Sequence, residues 1–321
     1  MNRPVLASLA VCAGITGLAL AVAAGADRTP DPVATPSGFG SGAVPAEAPV
    51  TEAWAAVADL GPELSPDSQN ACERGEPVCL EGVLEEMAAR LDALGCTHDA
   101  PFAFTYHEMT RGVYDAVGEP GFFDRPSATV HADALFARLY FAASDNWAAG
   151  RFEAVPPVWR IAFGAAERDG PNAATNLLLG MNAHISRDLA YVVADVASWQ
   201  AEAGADSSDF LRINDVIAKV KGPMLAAAAE RFDPSLALLD LPLPALAAGG
   251  GVDIIGMWRN QALERGLRLS QATSDEERAA IEGEIEREAM ATAALLLNAG
   301  TTRPSPLSPA ERDVYCAARR S

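Results

Sequence analysis

The sequence predicts an all-α protein, an orthogonal bundle of about eight to ten helices. Apolar residues recur at intervals of three and four positions almost throughout the chain, which is the period of an amphipathic helix. No run alternates apolar and polar residues with the period of two that a half-buried strand requires. The fold class therefore follows from the helical period, the missing strand period and the Pro and Gly clusters between helices.

Turn and capping residues predict where the helices begin and end. Pro156 and Pro157 open a short helix, because proline suits the first helical turn. Ser274 and Ser308 are each followed three residues later by glutamate, which is the pattern of a capping box. The predicted helices cover Val78–Leu94, Phe102–Val117, Ala128–Ala148, Pro157–Phe163, Ala174–Glu202, Phe210–Phe232, Trp258–Leu269, Ser274–Leu297 and Ser308–Arg320.

The amino terminus has the pattern of an export signal. Arg3 precedes an apolar stretch from Val5 to Ala24, and Ala24 to Ala26 fits a small-residue cleavage site, so residues 1–26 are predicted to be a signal peptide. An uncleaved segment of this length would instead tether the protein to a membrane. Residues 27–50 are rich in Pro, Gly and Ala and are predicted to be a flexible linker. Residues 51–321 are then a single all-helical domain, secreted or extracytoplasmic.

Charge and cysteine content narrow the classes of partner. The net charge of -19 argues against nucleic acid and against docking on anionic lipid, so the expected partner is a small molecule or an envelope component. Apart from Cys12 in the signal, four cysteines remain, an even number that suggests two disulfides in an exported protein. The short loop favours Cys72 with Cys79, which leaves Cys96 with Cys316. A zinc site formed by the four cysteines is the competing interpretation, which the lack of a close C-x-x-C pair disfavours.

The most informative segment is Gly180–Leu189 of the central predicted helix. Helical spacing places His184 and Asp188 one turn apart on the same face. Gly180 shares that face and would allow another helix to approach closely. A histidine and a carboxylate placed this way in a helix core must be paired, hydrogen-bonded or bound to a metal.

Three interpretations of this pair remain open. His184 and Asp188 could ligate a divalent metal such as zinc, completed by His131, His107 or Glu108 and an open water that the metal would activate. Alternatively, Asp188 orients His184 as a general base without a metal. In the third interpretation the two side chains form a structural polar network, satisfied by Tyr140, Asn182 or Arg187.

The segment Leu179–Leu189 resembles the core motif of the domain of unknown function 5995 family, found in actinobacteria and their relatives. Ser186 stands where that family's motif has asparagine. Weaker similarities are Leu135–Tyr140 and Asp209–Asn214, and together they span about residues 100 to 235. The resemblance implies a helical fold without an established activity, and it draws attention to Asn182, His184, Asp188 and Asn214 as site residues.

The leading hypothesis is an exported metal-dependent hydrolase with its site on the central helix. His184 and Asp188 are the expected ligands or catalytic groups, and Asn182 is expected to position substrate or stabilise an oxyanion. The chain has no Gly-x-Ser-x-Gly elbow, phosphate-binding loop or dinucleotide fingerprint, which disfavours serine hydrolases, NTPases and nicotinamide enzymes. The alternative is a non-catalytic envelope module in which the pair is a buried polar network.

Overall fold

The computed structural model describes residues 57–168, 171–196, 208–240, 253–302 and 306–320. All regular structure in these ranges is helical, which confirms the predicted all-α multi-helix bundle. The predicted signal peptide and linker lie outside the described residues. The α-helices are α1 (Ala71–Arg74), α2 (Pro77–Leu94), α3 (Ala100–Val117), α4 (Pro126–Ala148), α5 (Pro157–Glu167), α6 (Ala173–Asn182), α7 (Leu189–Asp195), α8 (Asp209–Arg231), α9 (Ile254–Ser270), α10 (Asp275–Thr302) and α11 (Pro309–Ala317).

The helix ends follow the capping chemistry of the sequence. The predicted capping box at Ser308 is present, with the Ser308 hydroxyl accepting from the Glu311 amide and the Glu311 side chain accepting from the Ser308 amide. Ser208 caps α8 by accepting from the Leu211 amide. Asp209, the first residue of α8, accepts the backbone amides of Asp124 and Arg125. Asp209 therefore joins the start of α8 to the loop before α4.

The central helix consists of α6, a π-helical segment at Ala183–Asp188 and α7, without a break. It ends at Asp195 because Val196 is extended, so the predicted continuation to Glu202 is wrong at that point. Helices α3, α5, α9 and α10 pack around it, and α4 contacts its π segment. These contacts place residues 183–188 in the core of the bundle.

Two glycines allow the close approach of helices to the central helix. A Cβ atom at Gly180 would lie 2.6 Å from Cγ of Phe102 on α3, so the Phe102 ring occupies the space that the glycine leaves. A Cβ atom at Gly266 on α9 would lie 2.6 Å from the carbonyl oxygen of Ala190. Both distances are too short for any larger residue. The close approach expected from the sequence at Gly180 is therefore observed.

Both predicted disulfides are observed. Cys72 is bonded to Cys79 across a sequence separation of 7, and Cys96 is bonded to Cys316 across a separation of 220. The second bond fastens α11 to the loop after α2, where His98 also contacts Asp313 at 3.0 Å. Two disulfides are typical of proteins that fold in an oxidising compartment. Within the described ranges, no helix is both long and apolar enough to cross a membrane.

Candidate functional site

A buried histidine–aspartate pair lies in the middle of the central helix. Nδ1 of His184 is 3.1 Å from Oδ2 of Asp188, and the exposed fractions of the two residues are 2% and 0%. Both belong to the π segment, a wider helical turn that recurs at functional sites. The structure therefore brings the two side chains together as the sequence spacing predicts, on a helix that is locally not an α-helix.

Three donors hold the Asp188 carboxylate. Arg187 Nη1 donates to Oδ1 at 2.5 Å, and Trp159 Nε1 donates to Oδ2 at 2.9 Å, the same oxygen that contacts His184. Burial by itself raises the pKa of a carboxyl group, but the hydrogen bond from His184 and the charge of Arg187 outweigh it and lower the pKa of Asp188. Asp188 is thus an ionised carboxylate with both oxygens already bonded.

Arg187 is in turn fixed by two other helices. Its Nε donates to Oε2 of Glu286 on α10 at 2.9 Å. The other oxygen of Glu286 accepts the backbone amide of Val158, in the first turn of α5, at 2.8 Å. Because these charge-assisted hydrogen bonds connect α5, α10 and the π segment, the Asp188 carboxylate has a fixed orientation toward His184.

Aromatic side chains fix the His184 ring. Phe136 of α4 stacks on the imidazole with centroids 3.5 Å apart, and Tyr106 of α3 meets it at 4.4 Å. Burial lowers the pKa of His184 although the Asp188 hydrogen bond opposes that shift, so the ring is neutral near neutral pH. Since Nδ1 donates to an ionised carboxylate, Nε2 has the free lone pair. No described residue forms a hydrogen bond with Nε2.

A cavity with a volume of about 100 Å³ lies against this imidazole. Side chains of α3, α4, α8, α9 and the central helix form its wall, and most of them are apolar. Ligand sites commonly combine an apolar wall with a small number of placed polar groups. The polar and charged residues in this wall are Thr105, Tyr106, Thr129, Asp133, His184, Lys221 and Arg259.

Asp133 is the acidic group of the cavity wall. It lies one turn before Phe136 on α4, and its Oδ2 atom is buried without a hydrogen-bond partner among the described residues. Burial raises the pKa of Asp133 to about 7. Near neutral pH the cavity therefore contains a neutral imidazole and a carboxyl group that is partly protonated. Paired groups whose pKa values are shifted in this way are typical of acid–base sites.

Arg259 of α9 is a buried cation in the same wall, at 5% exposure. Its Nε donates to Oδ1 of Asn214 at 2.7 Å, and its Nη2 donates to the carbonyl oxygen of Phe210 at 2.6 Å. The guanidinium lies over the Phe210 ring, 4.4 Å from its centroid. Burial lowers the pKa of Arg259 to about 10, although the charge of Asp253 opposes this. Asn214 thus positions a cation beside the cavity.

The other residues predicted for the site lie apart from the His184–Asp188 pair. Asn182 donates through Nδ2 to the carbonyl oxygen of Ala289 at 2.8 Å and fastens the central helix to α10. It is not part of the cavity wall. His131 contacts the carbonyl oxygen of Cys72 through Nδ1 at 2.9 Å. His107, the alternative third ligand, is buried on α3 and contacts Glu108 and Arg111.

The predicted metal ligands do not fit a metal centre. In the part of the chain that the structure describes, no three His, Cys, Asp or Glu side chains lie close enough together to hold one ion. His131 is therefore not brought to the pair. Both oxygens of Asp188 already accept hydrogen bonds from Arg187 and Trp159, which orient the carboxylate without a metal.

Sequence reasoning missed several groups that define the site. Asp133 and Trp159 are not among the residues that the sequence pattern singles out. Their roles depend on contacts between distant segments, since Trp159 and Asp188 meet across two helices. The signal that was available is the apolar surround of Asp133, because Ala132, Ala134 and Leu135 flank a carboxylate in a core-facing helix.

The fold and the site define a class of protein, an all-α bundle whose central helix presents a histidine–aspartate pair to an apolar cavity. The model of the family of unknown function DUF5995 matches residues 80–299, and the chain belongs to that family. This confirms the resemblance inferred from the segment around His184. The matched range contains the whole of helices α3 to α9 and every residue of the cavity wall. No curated protein and no solved structure matches the chain.

Proposed function

We propose that this protein is an exported hydrolase that acts on an apolar small molecule in the cavity through acid–base catalysis. His184 is the general base and Asp188 orients it. One observation carries the proposal: Nε2 of His184 has no hydrogen-bond partner among the described residues and its ring lines the cavity, while Nδ1 is held by a carboxylate that Arg187 and Trp159 fix. A general base needs this combination of a free lone pair and a fixed tautomer.

The chemistry is hydrolysis of a carboxylic ester or a related acyl compound. Nε2 of His184 takes a proton from water while the water oxygen bonds to the acyl carbon. Asp188 stabilises the imidazolium that forms, since a buried carboxylate next to Nδ1 favours the charged ring. Protonated Asp133 gives its proton to the leaving oxygen as the carbon–oxygen bond breaks. Phe136, one turn from Asp133 and stacked on His184, keeps the two groups on one wall of the cavity.

This mechanism replaces the metal-activated hydroxide of the original hypothesis with water activated by His184. The hydrogen bonds around Asp188 support the replacement, because they leave the carboxylate in the role of orienter. The two disulfides support the exported location, as they are stable outside the reducing cytoplasm. The family match gives no activity, so the proposal depends on the geometry of the site alone.

The test is turnover of two series of short-chain acyl esters, one with ethyl and one with p-nitrophenyl leaving groups. His184→Gln is expected to abolish turnover in both series, while the control His107→Gln, which changes a buried histidine outside the cavity wall, retains it. Asp133→Asn should slow only the ethyl series, because p-nitrophenolate leaves without a proton. For ethyl esters the rate should fall above about pH 7, as Asp133 ionises.

Two results would redirect the proposal. Turnover by a folded His184→Gln protein would remove His184 from the mechanism. Turnover that is lost with a chelator and restored by zinc would favour the metal interpretation instead.

A second candidate is a non-catalytic binding module in the cell envelope. The apolar wall of the cavity supports it, because burial of an apolar ligand alone can provide binding. This candidate predicts that small apolar compounds bind equally to the wild-type protein and to His184→Gln, and that neither protein turns them over.

A further inference from the structure

We infer that the molecule bound in the cavity carries a carboxylate on an apolar body, and that Arg259 pairs with this carboxylate. The inference deepens the proposed function and rests on it in one respect, that the cavity beside His184 is the ligand site. It adds the substrate class: a small amphipathic acid, or an acyl compound that carries a second, free carboxylate.

The environment of Arg259 supports an anionic ligand. Its guanidinium is buried, yet its two hydrogen bonds are to neutral acceptors, the Asn214 amide and the Phe210 carbonyl. No carboxylate among the described residues forms an ion pair with it. Asp253 acts on it only from a distance, since the side chain of Asp253 caps α9 by accepting from the Gly256 amide. A buried cation without a counter-ion is costly, and a bound anion would remove that cost.

The geometry of Arg259 is preorganised for a carboxylate. Asn214 holds Nε, Phe210 holds Nη2, and the Phe210 ring supports one face of the guanidinium plane. Nη1 forms no hydrogen bond with a described residue. A fixed guanidinium edge suits a planar carboxylate better than a flexible ammonium group does. Asn214, predicted as a site residue from the family motif, would thus act as a positioning residue.

The charges along the cavity wall set the direction of the ligand. Lys221 of α8, one of only two lysines in a chain with 43 acidic residues, lines the same cavity as Arg259. Asp133 on α4 is the acidic group of the wall, and it would repel a carboxylate once it ionises. We therefore place the carboxylate of the ligand at Arg259 and the apolar or reacting part against His184 and Phe136. The cavity volume of about 100 Å³ suits a short alkyl chain or a single small ring.

Calorimetry with two matched pairs of compounds tests this inference: hexanoate against hexan-1-ol, and benzoate against benzyl alcohol. Each carboxylate should bind the wild-type protein about tenfold more tightly than its alcohol, as a charge-assisted hydrogen bond provides. Asn214→Asp supplies Arg259 with a built-in counter-ion at the position of the present 2.7 Å contact. It should abolish the preference for the carboxylate and leave the protein folded. Arg259→Gln should abolish it as well.

The control is Asn146→Asp, which introduces the same charge next to another arginine. Asn146 also accepts from an arginine Nε, that of Arg151 at 2.9 Å, but it lies at the surface away from the cavity. This variant should keep the carboxylate preference. Equal binding of acids and alcohols by the wild-type protein, no binding of either, or an unchanged preference in folded Asn214→Asp would each overturn the inference. His184→Gln should keep the preference for carboxylates over alcohols, because Arg259 is unchanged, so a failure of the catalytic proposal is distinguishable from a failure here.

Discussion

Replacing Asp188 with asparagine separates the structural and the chemical roles of the His184–Asp188 pair. Asparagine has the shape of aspartate but only one acceptor oxygen, whereas three donors from Arg187, Trp159 and His184 now share two oxygens. Whichever way the amide turns, its NH₂ group faces at least one of these donors. The variant therefore retains the volume of the side chain in the core, but at least one of the three donors loses its acceptor.

The expected loss of unfolding free energy is about 3 kcal/mol. Breaking a buried ion pair by removing one partner costs about 3–5 kcal/mol, because the remaining charge is left uncompensated. Arg187 keeps its hydrogen bond to Glu286, which places the variant at the lower end of that range. For a domain of this size the corresponding fall in Tm is about 5 °C. The amide would also donate to Nδ1 of His184, which moves the imidazole proton to Nε2 and removes the proposed base.

Urea unfolding and ester turnover, measured on the same sample, provide the assay. Asp195→Asn is the matched control, because Asp195 is an exposed residue of the same helix and its change should alter stability by less than about 0.5 kcal/mol. The reasoning is refuted if Asp188→Asn is as stable as the wild type, since the carboxylate would then not be needed by its donors. Full turnover in a destabilised but folded variant would refute the orienting role alone.

Three further expectations concern stability. Gly180→Ala should lower the free energy of unfolding by about 1–2 kcal/mol, because its Cβ would lie 2.6 Å from Phe102 and the cost of overpacking exceeds the gain in helix propensity. The control Gly283→Ala, whose Cβ would meet only the flexible end of Arg287, should be neutral or stabilising in the same urea titration. Asp133 should make the protein less stable as pH rises from about 4 to about 7, because its raised pKa means that the folded state binds more protons than the unfolded state in that window. Asp133→Asn should therefore raise the Tm at about pH 8 but not at about pH 4. Equal effects of the substitution at both pH values would contradict the raised pKa. The double substitution Cys96→Ser, Cys316→Ser should lower the free energy of unfolding by up to about 5 kcal/mol, and loss of the Cys72–Cys79 bond should lower it by about 2 kcal/mol, because the first bond closes a much longer loop. A larger loss for the Cys72–Cys79 bond in calorimetry would argue against a loop-entropy origin.

Local signals in the sequence account for most of the fold. The helical period, the proline at Pro157 and the capping box at Ser308 predicted helices within a few residues of their observed ends. The cysteine pairing followed from loop length alone. The end of the central helix at Asp195 could not be predicted. Residues 190–195 continue the helical pattern, and nothing in the residue types around Val196 marks the change to extended backbone.

The candidate site was predictable only in part. The spacing of His184 and Asp188 predicted their contact, because both residues belong to one helix. The roles of Arg259 and Asp133 depend on packing between helices that are distant in the chain, and Asn214 acquires a role only once α9 packs on α8. The π segment was also hidden, because its wider turn depends on the packing around residues 183–188 and no single residue type marks it.

The long disulfide also constrains the order in which the chain matures. A chain delivered amino terminus first presents Cys72, Cys79 and Cys96 well before Cys316, which is 220 positions after its partner. Of the loops that these three cysteines could close, the loop between Cys72 and Cys79 is the shortest and closes fastest. Cys72 and Cys79 are therefore expected to pair first, while Cys96 is still a free thiol. Every helix that lines the cavity lies between Cys96 and Cys316. The Cys96–Cys316 bond can therefore form only after all the helices that line the cavity have been delivered.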